Sequence, residues 1–80
     1  MEEELGLRIT LDPKVMVGKP VIRGTRVPVE LVVRMLGQGV SEPEILREYP
    51  RLEPLDIRAA LTYAAQVLAQ EEVLPLPAPS

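Results

Sequence analysis

The chain has 80 residues, which is enough for one domain. It contains no Cys and no His, so a disulfide, a Cys/His metal site, a thiol nucleophile and the commonest general base are all excluded. The net charge of -3 is uneven, with five basic residues against one acidic residue between Lys14 and Arg34, and three arginines against seven acidic residues from Ser41 onward. We therefore expect no enzyme, no metal and no cofactor, and we expect an anionic partner to meet the first of these two stretches.

The size and the ends of the chain give two further expectations. A chain this short buries only about 60% of its unfolded surface, so stabilisation by forming a homodimer is expected. No apolar run approaches membrane-spanning length, and the acidic start "MEEELGLR" lacks the pattern of a signal peptide. The sequence thus predicts a cytoplasmic protein without a membrane partner.

The first third of the chain predicts short strands. "RITLDP" alternates polar and apolar residues and ends at Asp12-Pro13, which indicates a strand and a turn. A second strand is expected near Pro20 to Arg23. Gly24-Thr25 then fits the centre of a two-residue type II′ hairpin, with residues 26–28 as the returning arm.

Three helices follow. The apolar spacing after Pro28 predicts a helix from Val29 that ends at Gly37 and Gly39. Ser41 and Glu44 form a capping box for a second, two-turn helix that stops before Pro50. The third helix begins near Pro54, and we expect it to fray at Glu71-Glu72. Its predicted apolar stripe comprises Ile57, Ala60, Leu61, Ala64 and Leu68.

These elements predict a mainly α fold. A single small domain is expected at residues 8–73, with a β appendage at 8–28 and three helices at 29–73. The last two helices are candidates for a helix-turn-helix. The ends, 1–7 and 74–80, are predicted to be flexible; the proline-rich tail "VLPLPAPS" has a docking segment as its alternative role.

Four runs in the sequence carry a family resemblance: "GKPVIRGTRVPV", "GVSEPEIL", "YPRL" and "DIRAALTYA". Together they resemble a small prokaryotic family long catalogued only as a domain of unknown function. The resemblance implies a homeodomain-like trihelical fold with a short β appendage. It also implies a VapB-like antitoxin role beside a PIN-type ribonuclease toxin. Glu53 departs from the Thr or Ser usual at that position, and Pro54 and Asp56 are expected to compensate in part.

Arg23 and Arg26 are the main candidate site. In a two-residue hairpin they would flank the turn and share a face, where like charges destabilise each other. Three explanations stay open: pairing with Asp12 or Glu30, a carboxylate-rich protein partner, or nucleic-acid phosphate. The predicted partner-binding residues are Lys19, Arg23, Thr25 and Arg26, with Lys14 enlarging the site.

The third helix is the candidate DNA reader. The predicted nucleic-acid residues are Arg58 and Thr62 together with Arg23 and Arg26. One arginine on this helix is few for counterion release. Together with what the family resemblance implies, this favours an antitoxin-like binding module, with a helix-turn-helix transcriptional regulator as the alternative and a self-assembly module without DNA or toxin as the second alternative.

Overall fold

The structure, a computed structural model, describes residues 6–11, 14 and 18–70. Within these ranges lie two short strands, β1 (Ile9–Thr10) and β2 (Val21–Ile22), and three helices, α1 (Val29–Gly37), α2 (Glu42–Glu48) and α3 (Pro54–Gln70). The predicted mainly α fold with three helices and a short amino-terminal β element is confirmed. Apart from Gly6 and Leu7, the predicted flexible ends lie outside the described residues, as does the fraying at Glu71-Glu72.

The strand β2 lies between two extended segments. On one side it pairs antiparallel with β1, with Ile9 opposite Ile22. On the other side it meets the returning arm through a bridge between Val21 and Pro28. Both residues of β2 are buried, and Ile22 belongs to the main core. The β element is therefore packed into the helical domain rather than standing beside it.

The turn after β2 differs from the predicted two-residue hairpin. The Thr25 N–H donates to the Ile22 carbonyl at 3.0 Å, and the Ile22 N–H donates to the Val27 carbonyl at 2.9 Å. The loop thus contains four residues, Arg23 to Arg26, and Gly24 is the third residue of a β-turn. Its φ of 76° is the left-handed value that a type II turn requires at this position. The type II′ prediction is wrong because the Ile22–Thr25 hydrogen bond moves the turn one residue earlier.

Helices α1 and α2 begin and end where the sequence predicts. After α1, Val40 N–H donates to the Met35 carbonyl and Gly39 N–H to the Leu36 carbonyl, which is a Schellman ending with Gly39 at φ 89°. The Ser41 hydroxyl then accepts from the Glu44 N–H at 3.3 Å and begins α2. Both signals are local, so the end of α1 and the start of α2 are set without contacts to distant residues.

Helix α3 begins without a side-chain cap from Glu53. Instead the Asp56 carboxylate, three residues inside, accepts from the Glu53 N–H at 2.8 Å. This is the reverse half of a capping box, and it supplies the expected compensation for Glu53. Within the described ranges, none of the helices combines the length and hydrophobicity that crossing a bilayer requires.

The core lies between the β element and all three helices. Its buried members are Ile22, Val29, Val32, Ile45, Leu52, Ile57 and Ala60. The predicted stripe of α3 is only partly correct, because Leu61 and Leu68 are 44% and 63% exposed. Each lies beside the buried face of α3 rather than on it, since one residue along a helix is a rotation of about 100°.

Candidate functional site

The two arginines of the loop between β2 and α1 carry exposed positive charge. We name residues Arg23 to Arg26 the arginine turn. Among the residues that the structure describes, no carboxylate lies within salt-bridge distance of Arg23 or Arg26. Pairing with Glu30 is therefore wrong: that carboxylate binds Arg34, one helical turn away, and Lys19 at 3.5 Å. The alternative partner Asp12 lies outside the described residues.

The arginine turn is held in shape by a hydroxyl group. Thr25 Oγ1 donates to the Ile22 carbonyl at 2.7 Å and accepts from the Val27 N–H at 3.0 Å. The hydroxyl thus donates one hydrogen bond and accepts another within the loop. Thr25, a predicted partner-binding residue, has a structural position: it fixes the backbone that carries the two arginines. Such fixing lowers the conformational entropy lost when arginines bind a partner.

A third arginine joins the arginine turn to the connection between α2 and α3. The Nη1 atom of Arg51 donates to the Gly24 carbonyl at 3.2 Å. Arg51 also lines two surface cavities, one of about 330 Å³ that includes Arg23 and one of about 350 Å³ that includes Arg26. The two arginines of the turn therefore line different cavities, and Arg51 lines both.

The cavity beside Arg23 contains an ion cluster of one arginine and two carboxylates. Arg8 Nη1 donates to Glu53 Oε1 at 2.8 Å and to Asp56 Oδ1 at 2.9 Å. The hydrogen bond with Glu53, and then that with Asp56, raises the pKa of Arg8. Asp56 is 6% exposed and Glu53 is exposed. Arg23 and Arg51 line the same cavity, and neither forms an ion pair with a carboxylate of the described residues.

The structure separates the predicted nucleic-acid residues. Arg58 is exposed and Thr62 is half-buried, four residues apart on α3. Neither lines the two cavities that contain Arg23 and Arg26. Arg58 is the only basic residue in α3, and the only acidic one, Asp56, is buried. The α3 surface is therefore weakly charged, whereas the cations concentrate at the arginine turn.

The sequence did not indicate three residues as part of the site: Arg51, Arg8, and Asp56 as the ion-pair partner of Arg8. Arg51 lies in the "YPRL" run that supports the family resemblance, and this was its available signal. No group of three or more acidic side chains within the described ranges is arranged to hold a metal ion. What the arrangement offers chemically is recognition of carboxylate or phosphate oxygens by guanidinium groups.

Comparison with known proteins gives a family. The sequence profile of a family described as a protein of unknown function, DUF433, matches residues 9–64. An uncharacterized protein of Sinorhizobium fredii is 41% identical over 56 residues, which are 70% of this chain and 25% of that protein. An uncharacterized protein of Archaeoglobus fulgidus is 64% identical over 28 residues, which are 35% of this chain and 78% of that protein.

A solved structure agrees with the sequence matches. The crystal structure of a DUF433 member from Anabaena variabilis, at 2.00 Å resolution, is similar with a TM-score of 0.75 and 37% identity. The similarity covers 85% of this chain and 67% of that one. This chain spans about a quarter of the Sinorhizobium relative, so that relative contains much sequence with no counterpart here. From the profile match and this structural similarity, the chain belongs to the DUF433 family.

Proposed function

We propose that this chain is an antitoxin-like binding module that pairs with a PIN-type ribonuclease toxin in the cytoplasm. The observation that carries the proposal is the arginine turn, where Arg23 and Arg26 are exposed and have no carboxylate in salt-bridge distance among the described residues. Two unneutralised guanidinium groups on a hydrogen-bonded loop are suited to bind carboxylates of another protein. A nuclease with an acidic site is a partner of that chemistry.

The preorganised loop supports a protein partner in particular. Thr25 and Arg51 fix the backbone through hydrogen bonds of 2.7 Å and 3.2 Å to the Ile22 and Gly24 carbonyls. Arg23 and Arg26 lie beside two cavities, so a partner would place one acidic group on each side of the turn. Bidentate pairing at two separate points fixes an orientation, which a single surface charge does not do.

A DNA-binding regulator remains the alternative, supported by the short connection between α2 and α3 and by Arg58 on the exposed side of α3. Residues 59–70 of α3 contain no charged side chain, so this helix offers few phosphate contacts. The two functions predict different salt dependence. Binding through several phosphates weakens steeply between about 50 and 200 mM salt, by about a thousandfold or more for six or more contacts.

The deciding experiment is affinity purification of the tagged chain expressed from its native locus, after nuclease treatment of the lysate. Mass spectrometry of the eluate is expected to identify a small nuclease in stoichiometric amount. Elution of the chain alone, together with steeply salt-dependent binding to the DNA upstream of its own gene, would instead favour the regulator.

A further inference from the structure

Helix α3 extends well beyond the helices that cover it. It has 17 residues and a length of about 25 Å, whereas α1 has nine residues and a length of about 13 Å. The buried residues of α3 all lie in its first two turns and end at Ala60. Beyond that point Leu61, Val67 and Leu68 are 44%, 37% and 63% exposed. The second half of α3 thus has an apolar side that the described residues, 6–11, 14 and 18–70, leave in water.

That side of α3 forms one wall of a groove, which we name the α1–α3 groove. The groove has a volume of about 390 Å³, and its walls are apolar. Glu30 and Arg34, which pair with each other, are its charged residues. The apolar lining consists of Pro20, Val29, Val33, Tyr63, Ala64, Val67 and Leu68.

The charge pattern indicates what covers the groove. Residues 59–70 contain no charged side chain, in a chain of which 26% of residues are charged. A helix face that stays in water normally carries charged and polar residues. Glu30 pairs with Arg34 and with Lys19, so the edge of the groove presents both signs of charge side by side. When a two-fold axis brings two such edges together, the negative charge of each edge can face the positive charge of the other. A strongly acidic or strongly basic partner would instead face a like charge at this edge.

We propose that a second copy of this chain covers the α1–α3 groove, with the second half of α3 of each copy packed against the groove of the other. In this two-fold arrangement Leu68 of each copy is buried, and Glu30 of one copy meets Arg34 of the other. The interface is separate from the arginine turn, so each copy keeps Arg23 and Arg26 exposed. Replacing those two arginines with alanine accordingly leaves the dimer unchanged, which separates this proposal from the proposed function.

The first test uses charge reversal at the groove edge. Glu30 and Arg34 are about half exposed, so reversing either charge leaves the fold intact. Sedimentation equilibrium of the full chain is expected to give twice the chain mass of 8.9 kDa. Glu30→Arg alone and Arg34→Glu alone each place like charges across the two-fold axis and weaken the homodimer by at least about tenfold.

An equimolar mixture of the two variants restores opposite charges at both contacts and is expected to recover dimerisation to within about threefold of the original chain. Recovery in the mixture, with loss in each variant alone, supports the two-fold contact. A chain that stays monomeric from about 1 µM to about 1 mM would overturn the proposal. So would a dimer that neither reversal weakens, or a mixture that fails to recover.

The second test uses two leucines of similar exposure. Leu68→Glu introduces a charge into the groove, and each two-fold interface contains it twice, so dimerisation is expected to weaken more than about a hundredfold. Leu11→Glu is the matched control, because Leu11 is 58% exposed and does not line the groove. Circular dichroism checks that both variants stay folded. Equal weakening by the two variants, or weakening by Leu11→Glu alone, contradicts the assignment of the interface.

Discussion

Replacing Thr25 with valine tests how the arginine turn is held. Valine has the shape of threonine but lacks the hydroxyl that donates to the Ile22 carbonyl at 2.7 Å and accepts from the Val27 N–H at 3.0 Å. Each hydrogen bond contributes about 0.5–1.5 kcal/mol, and the half-buried Val27 N–H loses its acceptor. We therefore expect Thr25→Val to lower the free energy of unfolding by about 1–2 kcal/mol. That is a sizeable part of the total of about 4–12 kcal/mol expected for 80 residues.

Urea denaturation followed by circular dichroism measures this change, and the melting temperature is expected to fall by about 5–15 °C. Thr25→Ser is the matched control, because serine keeps the hydroxyl and should lower the stability by less than about 0.5 kcal/mol. Thr25→Val should also weaken partner binding, although it leaves both arginines in place. Equal effects of valine and serine, or no effect of valine, would refute the assignment of Thr25 as the residue that fixes the turn.

Two further substitutions, each with a matched control, test the ends of the helices. Gly39→Ala is expected to lower the free energy of unfolding by about 1–2 kcal/mol. No atom lies within 4 Å of an added Cβ, but the φ of 89° strains any L residue at this position. Gly37→Ala, at a helical position with equal space, should leave the free energy of unfolding unchanged or raise it by up to about 1 kcal/mol in the same urea titration. Asp56→Ala is expected to lower the free energy of unfolding by about 2 kcal/mol or more, because it removes the buried acceptor of the Glu53 N–H. Glu53→Ala removes an exposed carboxylate and should change the free energy of unfolding by about 0–1 kcal/mol. Calorimetry that ranks the two variants in the opposite order would contradict this account.

The helices were predictable from the sequence because their ends are set by neighbouring residues. Gly39 ends α1 through its own backbone conformation, and Ser41 begins α2 through a hydrogen bond to a residue three positions away. Tyr49 and Tyr63 are half-buried and pack against the core that these helices form. Signals of this kind act over one helical turn and need no knowledge of the fold.

The candidate site was only partly predictable because its contacts join distant residues. The sequence indicated the two arginines and the glycine between them. It did not indicate that Arg51, 27 residues from Gly24, bonds to the turn, or that Arg8 reaches Asp56 across 48 residues. Nor did it give the turn type, which is set by the hydrogen bonds that the Thr25 N–H and hydroxyl both donate to the Ile22 carbonyl.

The exposed leucines of α3 show a second limit of periodicity. Leu61 and Leu68 follow helical spacing with Ile57 and therefore seemed to belong to the core. Leu61 lies beside the buried face of α3, one position after Ala60, and Leu68 lies beyond the last buried residue of that helix, so the other described elements leave both partly in water. Periodicity identifies which residues share a face, but it does not identify which molecule covers that face.

The central claim is that Arg23 and Arg26 bind carboxylates of a protein partner, and the most direct test is partner affinity of the Arg23→Ala/Arg26→Ala double variant. The nuclease recovered with the tagged chain would be titrated against the original chain, the double variant and Arg58→Ala by isothermal calorimetry. The account predicts that the double variant binds at least about a hundredfold more weakly, while its melting temperature and the affinity of Arg58→Ala stay unchanged. Unchanged affinity of the double variant, or a larger loss with Arg58→Ala, would contradict it.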